Sequence, residues 1–208
     1  MGVPVMVMGE SGSGKSRSLK NFRKGEISVV NVSGKLPPFR AEFSTVNTDN
    51  YAQILELLGK ASSPSVAIDD ATYLMTNEFM RTAKVNGFQK FTDIALNFFN
   101  LIKFVSDRMP PEKIVYFLGH TETDQNGKEK FKTIGKLLDE KITLEGLFTI
   151  VLKTQVKDGA YSFVTQTNGA DTVKSPEGMF EREIPNDLKA VDAAIRKYYG
   201  LEIKGGKR

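Results

Sequence analysis

The run Gly9-Glu10-Ser11-Gly12-Ser13-Gly14-Lys15-Ser16 is an uninterrupted GxxxxGKS pattern, and its residue types suit phosphate chemistry. Glycines let the backbone curl until successive N–H groups point inward at phosphate oxygens, helped by the positive end of a following helix. A lysine at the position of Lys15 reaches the β- and γ-phosphates, and a hydroxyl at Ser16 coordinates Mg²⁺. The motif needs a strand before it and a helix behind it. Val3 to Met8 is an apolar run that reads as a buried strand, and Ser16 to Phe22 reads as a helix. Residues Gly9 to Ser16, with Arg17 directly behind, are therefore the expected nucleoside triphosphate site. A glycine-rich turn that binds nothing is the bland alternative. No base-specific motif separates ATP from GTP, and ATP with Mg²⁺ is the class expectation.

Asp69 closes the apolar run Val66-Ala67-Ile68 and lies 54 positions after Lys15. That interval has room for a helix, a strand, a connection and another helix before the chain returns beside the first strand. A carboxylate there can hold Mg²⁺ through its water shell. The competing role, shared with Asp70, is to cap the helix that follows. Asp70 otherwise orients an attacking water as general base. His120 is the one histidine of the chain and ends another apolar run, Lys113 to Gly119. Three roles stay open for it: sensing the γ-phosphate and passing its presence to the next loop, bonding a backbone carbonyl, or acting as general base. Lys15, Asp69, Asp70 and His120 are the candidate catalytic set.

Two connections interleave cations with aromatic rings, the combination that tracks the backbone and stacks the bases of a single strand. Between Arg81 and Phe91 stand Lys84, Gly87, Phe88 and Lys90. After His120 stand Lys128, Lys130, Phe131, Lys132 and Lys136, with Asn126-Gly127 as a tight turn. Solvated surface is the alternative for both segments. Lys174, beyond the last predicted hairpin, is either a surface lysine in a turn or one that reaches a neighbour's γ-phosphate across an oligomer interface.

A regular alternation of elements must position these residues. Ile27 to Val32 reads as a second strand, and 33–47, with Gly34, Pro37 and Pro38, as a connection. Asp49 or Asn50 caps a helix through Leu58, Ser65 to Asp70 is a third strand, and Ala71 to about Thr82 a helix. Phe91, Ile94, Ala95, Phe98, Ile102 and Val105 recur at three- and four-residue steps, the strongest amphipathic pattern present, which stops near Pro110-Pro111. Lys113 to Gly119 is a fourth strand. Phe148 to Val156 and Tyr161 to Thr167 form a hairpin, and Asp187 to Tyr199 a closing helix. This order predicts an α/β fold: a mostly parallel sheet flanked by helices on both faces, with an antiparallel C-terminal hairpin at one edge. Ligands of such sheets sit beyond the carboxyl ends of the strands, where Gly9–Ser16, Asp69–Asp70 and His120 all fall.

The 208 residues are 40% hydrophobic and 26% charged, which suits one domain, expected over 1–203, with a basic glycine-rich tail at 204–208. No apolar stretch approaches the eighteen or so residues of a membrane span, and no signal-peptide pattern precedes the first strand. No separate N-terminal domain is expected before a loop that starts nine residues in. Cysteine is absent, which excludes disulfides and thiolate metal sites, and cytoplasm is the default location. The net charge of +4 permits nucleic-acid binding without requiring it.

With the phosphate loop near its start, the Ile68-Asp69-Asp70 strand end and the polar strand end at His120, the chain over residues 3 to 200 resembles a RecA-like P-loop ATPase. More narrowly, it is similar to the compact phage nucleotide-binding proteins of the AAA_24 type, some of which are single-strand annealing or recombination proteins. The resemblance implies Lys15 and Ser16 on the triphosphate and Mg²⁺, Asp69 as the Walker B acid, and His120 as the sensor. It implies that the segment after His120 is a mobile DNA-binding loop. Lys174 would match the first residue of a trans-acting basic pair whose second position holds Pro176 here. The implied activity is ATP hydrolysis coupled to single-stranded DNA in phage recombination or replication, by a homo-oligomer in the host cytoplasm, with a single-strand-binding protein as partner. Recombinases also carry a catalytic glutamate at the end of the second strand, where this chain has Asn31, Val32 and Ser33. Slow hydrolysis, or reliance on Asp70, follows. Two other functions stay open: a nucleotide-switched scaffold with little turnover, and a small-molecule kinase. Against the kinase stand few arginines, with Arg81 and Arg108 the only ones between 41 and 181.

Overall fold

Apolar runs of five or six residues, too short for helices, build the centre of the molecule. The computed structural model describes residues 1–202, with backbone alone at 139–140, and the basic tail expected at 204–208 lies outside the described residues. Its strands are β1 (Val3–Met8), β2 (Ile27–Asn31), β3 (Ser44–Asn47), β4 (Ser65–Asp69), β5 (Ile114–Gly119), β6 (Thr121–Thr123), β7 (Glu129–Phe131), β8 (Ile150–Lys157), β9 (Ala160–Val164) and β10 (Glu183–Pro185). Its helices are α1 (Tyr51–Lys60), α2 (Thr72–Arg81), α3 (Gln89–Arg108) and α4 (Leu188–Tyr199). Eight strands form one sheet in the order β10-β9-β8-β1-β5-β4-β2-β3. Strands β8 through β3 of that order run parallel, and β9 and β10 extend the sheet antiparallel. The pair β6–β7 is a separate antiparallel hairpin. The α/β architecture matches the alternation in the sequence.

Successive strand residues feed opposite cores, as the two-residue period of a strand dictates. Met6, Met8, Val66, Ile68, Val115 and Phe117 face α1, α2 and α3. Val5, Val7, Ala67, Tyr116, Leu118 and Leu152 face α4 and the turn at Leu19–Phe22. Each such side chain contributes roughly 1.5–3 kcal/mol on burial, so both faces of the sheet are covered for a physical reason. Polar side chains cap two of the helices. The Asn50 side chain accepts from the Gln53 amide, and the Asp187 side chain from Lys189 and Ala190. Asp158 and Gly159, both at positive φ, turn β8 into β9. Among the described residues no helix is long and apolar enough to cross a membrane.

Three expectations need correction. Ser16 to Phe22 is not an α-helix: a 3-10 turn covers Ser16–Leu19 and i→i+3 bonds continue to Phe22. The Ser18 hydroxyl donates to the Lys15 carbonyl and the Asn21 amide to Asp187, so polar side chains compete with the helix. The connection at 33–47 contains β3, whose four residues are all exposed at the sheet edge and so carry no apolar alternation. Finally, β4 does not return beside β1, because β5 inserts between them.

At the amino ends of the strands, α4 is fastened by a buried ionic cluster. Arg196 donates to Asp192 at 2.6 Å, to the carbonyls of Glu112 and Pro64, and to Ser65 Oγ. Asp192 also accepts from Tyr116 at 2.9 Å and from Ser65. Removing one partner of such a pair leaves an uncompensated charge. Asp192→Ala should therefore destabilise the fold by about 3–5 kcal/mol in urea unfolding, and adding Arg196→Leu should recover much of that loss.

Candidate functional site

Parallel strands deliver their carboxyl ends to one edge, and there β1, β5 and β4 release Gly9, His120 and Asp70 side by side. Met8 pairs with Gly119 and Ile68 with Phe117, so the three ends are level. The interposed β5 puts His120 between Lys15 and the acids. Ser16 Oγ donates to Asp69 Oδ1 at 3.0 Å. The Lys15 ammonium donates to the carbonyls of Gly9 at 2.9 Å and Glu10 at 2.8 Å, and lies 3.4 Å from His120 Nδ1. His120 Nε2 lies 3.6 Å from Asp70 Oδ1, and Asp70 Oδ2 3.9 Å from Lys35 Nζ. Lys15, Ser16, Lys35, Asp69, Asp70 and His120 line one cavity of about 400 Å³, which also takes in Gly12, Gly14, Arg17 and Tyr161.

The loop owes its shape to close approach. A Cβ at Gly9 would sit 2.0 Å from Thr154 Oγ1 and 2.6 Å from Ser13 Oγ, so no larger residue fits. Gly14 adopts φ 101°, a conformation that L side chains rarely adopt, with Tyr161 and Asn186 packed against it. Ser13 and Thr154 share a hydrogen bond of 2.6 Å, and Thr154 also donates to the Met8 carbonyl, which ties the loop to β8. The Arg17 guanidinium lies 4.4 Å over the Tyr161 ring. Among the described residues, the amides of Gly12, Gly14 and Ser16 donate to no carbonyl or side chain. Amides without such partners, beside a lysine, suit phosphate oxygens. The Ser16 hydroxyl and the Asp69 carboxylate are the hard oxygen donors that Mg²⁺ prefers, so the residues fit that ion.

Burial dominates the charges here. It pushes the Asp69 carboxyl up to about 6, with the charge of Asp70 adding to the effect. Burial lowers the Lys15 ammonium, against the pull of Asp70 and Asp69. Burial also lowers His120, and the Lys15 charge lowers it further, so the ring is neutral at pH 7. A neutral imidazole with Nδ1 facing an ammonium accepts there, which assigns its proton to Nε2, toward Asp70. Asp70 itself holds φ 61°, a strained backbone for a non-glycine residue, of the kind that collects at functional sites.

The remaining expected residues lie away from this cluster. Lys84 and Phe88 are exposed between α2 and α3, Phe88 at 88%. Lys128 and Lys132 are exposed on or beside the β6–β7 hairpin, while Lys130 lies 4.0 Å from Glu122. Phe131 is no ring for bases: it is 1% exposed and stacks on Phe98 in the core. Lys174 pairs through its backbone with Val151, on the edge of β8. Asn31, where a strand-end glutamate was the family expectation, spends its side chain on its own turn, donating to the Lys35 carbonyl at 2.7 Å and accepting from Gly34. Lys35, Thr154, Tyr161 and Asn186 were not foreseen. Each comes from a segment remote in sequence and follows no motif.

The pH behaviour of Asp69 follows from its burial. Its folded pKa lies above the ordinary 3.8, so between about pH 4 and 6 the folded state binds more protons than the unfolded one. Stability therefore falls as pH rises through that window and stays lower above it. Asp69→Asn keeps an acceptor for Ser16 and removes the penalty. It should raise metal-free stability by about 1–3 kcal/mol at pH 7 and by almost nothing below pH 4, measured by urea unfolding at each pH. No protein-family model and no curated protein matches this chain, so the chemistry of the site has to come from its own residues.

Proposed function

We propose that the chain is a Mg²⁺-dependent ATPase of RecA-like type that works on single-stranded DNA, in phage recombination or replication. The observation that carries this reading is the contact between Ser16 and Asp69 at 3.0 Å, made by residues 53 positions apart, with Lys15 and His120 converging on the same cavity. In this reading the Gly9–Ser16 amides and Lys15 hold the phosphates, and Ser16 with Asp69 holds the metal. When bound, Mg²⁺ neutralises charge building on the phosphoryl oxygens. Asp70 orients the attacking water and accepts its proton, held by its strained backbone next to His120.

His120 has a route to a partner. Its backbone carbonyl accepts from the Lys132 amide at 2.8 Å, so a shift of the His120 backbone reaches the base of the β6–β7 hairpin. Lys128 and Lys132 on that hairpin, and Lys84 and Phe88 on the earlier connection, are the proposed DNA contacts. A homo-oligomer in the host cytoplasm, with Lys174 reaching a neighbour and a single-strand-binding protein alongside, completes the proposal. A second reading, a nucleotide-switched scaffold with little turnover, is favoured by Asn31, which occupies the strand end of a catalytic glutamate and is committed to its own turn.

Steady-state hydrolysis with and without single-stranded DNA separates the two. Stimulation by DNA is the expected result; tight ATP binding with no turnover in either condition selects the scaffold. Lys15→Ala should abolish triphosphate binding in calorimetry while the melting temperature stays within a few degrees. The double variant Lys128→Ala/Lys132→Ala should lower the slope of log affinity against log salt by about 1.4, at about 0.7 per lost single-strand contact. An unchanged slope removes the hairpin from the DNA interface.

A further inference from the structure

We propose that Lys35 is a second cation for the terminal phosphate of the nucleotide, supplied by the chain's own 33–43 loop, and that it makes the site select a triphosphate over a diphosphate. The inference rests on the nucleotide reading above and adds a specificity-determining residue to it. Lys35 lines the same cavity as Lys15, four residues after the end of β2. Its ammonium lies 3.9 Å from Asp70 Oδ2 and 5.1 Å from the Tyr73 ring centroid. Both neighbours also flank His120: Asp70 at 3.6 Å, and Tyr73 edge-on at 5.7 Å between ring centroids. Asp70 and His120 therefore lie between the two lysines.

The turn that presents Lys35 is built. Asn31 is 7% exposed, and its amide donates to the Lys35 carbonyl while its oxygen accepts from the Gly34 amide and the Ser33 hydroxyl. Gly34 at φ 69° completes the turn. An asparagine spent in this way holds the backbone of residue 35 at the cavity rim while the lysine side chain stays free to swing. That side chain is 67% exposed, so its pairing with Asp70 is weak and easily exchanged. A terminal phosphoryl group, with more than one negative charge and three acceptor oxygens, is a stronger partner than one carboxylate. The third cation lining the cavity, Arg17, lies 4.4 Å over the Tyr161 ring. A diphosphate lacks the group that extends toward Lys35, while Lys15 still serves both nucleotides.

Calorimetric titration of the full chain with Mg²⁺-ATPγS and with Mg²⁺-ADP tests the proposal. Wild type is expected to bind ATPγS at least tenfold more tightly than ADP, as a charge-assisted hydrogen bond of about 1.5–3 kcal/mol allows. Lys35→Ala should lose about tenfold to a hundredfold in ATPγS affinity and less than about twofold in ADP affinity, and Lys35→Arg should retain most of the preference. A wild-type protein without preference, a Lys35→Ala protein with the wild-type ratio, or an equal loss for both nucleotides overturns the role of Lys35 and leaves nucleotide binding by the Gly9–Ser16 loop intact. A wild-type protein that binds neither ligand overturns both readings.

Discussion

Because β5 lies between β1 and β4, the loop after β1 and the acids after β4 are held about 10 Å apart across the sheet, two strand spacings. The loop has to arch over the end of β5 to bring Ser16 against Asp69, and that arch is the constraint on which the site depends. Gly9 can start it because Thr154 and Ser13 leave no space for a Cβ, and its amide donates to the Gly119 carbonyl. Gly119 is equally tight, since a Cβ there would fall 2.3 Å from the Phe131 ring. His120 follows directly and contacts both the lysine and the acid. A strand inserted between the two halves of the site is also what gives the histidine contact with both.

The two ends of the sheet treat buried charge in opposite ways. At the amino ends, Asp192 and Arg196 are paired at 2.6 Å, and each is further hydrogen-bonded to Tyr116, Ser65 or backbone carbonyls. That cluster is satisfied and serves the fold. At the carboxyl ends, His120 lies 3.4 Å from the Lys15 ammonium and 3.6 Å from Asp70, whose other oxygen is 3.9 Å from Lys35, all looser than the pairing of Asp192 with Arg196. Burial raises Asp69 and lowers Lys15 and His120, so it disfavours the charged form of each group. Such an arrangement costs stability.

The segments around the site divide between rigid and adjustable parts. The Gly9–Ser16 loop is braced from β8 by Thr154 and from the β9–β10 side by Tyr161 and Asn186, whose amide atoms are buried without partners in the described structure. Across the cavity, the 33–43 loop carries exposed groups, with Leu36 at 93%, and only the Asn31 turn anchors its start. Farther along, Phe39 and Phe43 meet edge to face and pack against the core beside α4.

The elements that read clearly from the sequence were the buried apolar strands and the 3.6-residue face from Phe91 to Val105, while the first helix cap, open between Asp49 and Asn50, falls on Asn50. The GxxxxGKS spacing likewise marked the loop, because glycine, lysine and serine act there through their own backbone and short reach. What escaped was set by partners far along the chain. The edge strand at Ser44–Asn47 is exposed on every residue, so its pairing with β2 leaves no apolar trace. The turn after Ser16 reads as a helix until Ser18 and Asn21 find their bonds. Strand order, and with it the place of His120 between Lys15 and Asp70, follows from which apolar faces meet across the sheet, and no local pattern encodes that choice. The types of the chemical groups were thus determined by sequence alone, while their distances from one another were decided by packing, because contact between residues 15, 35, 69, 70 and 120 exists only once both cores are buried.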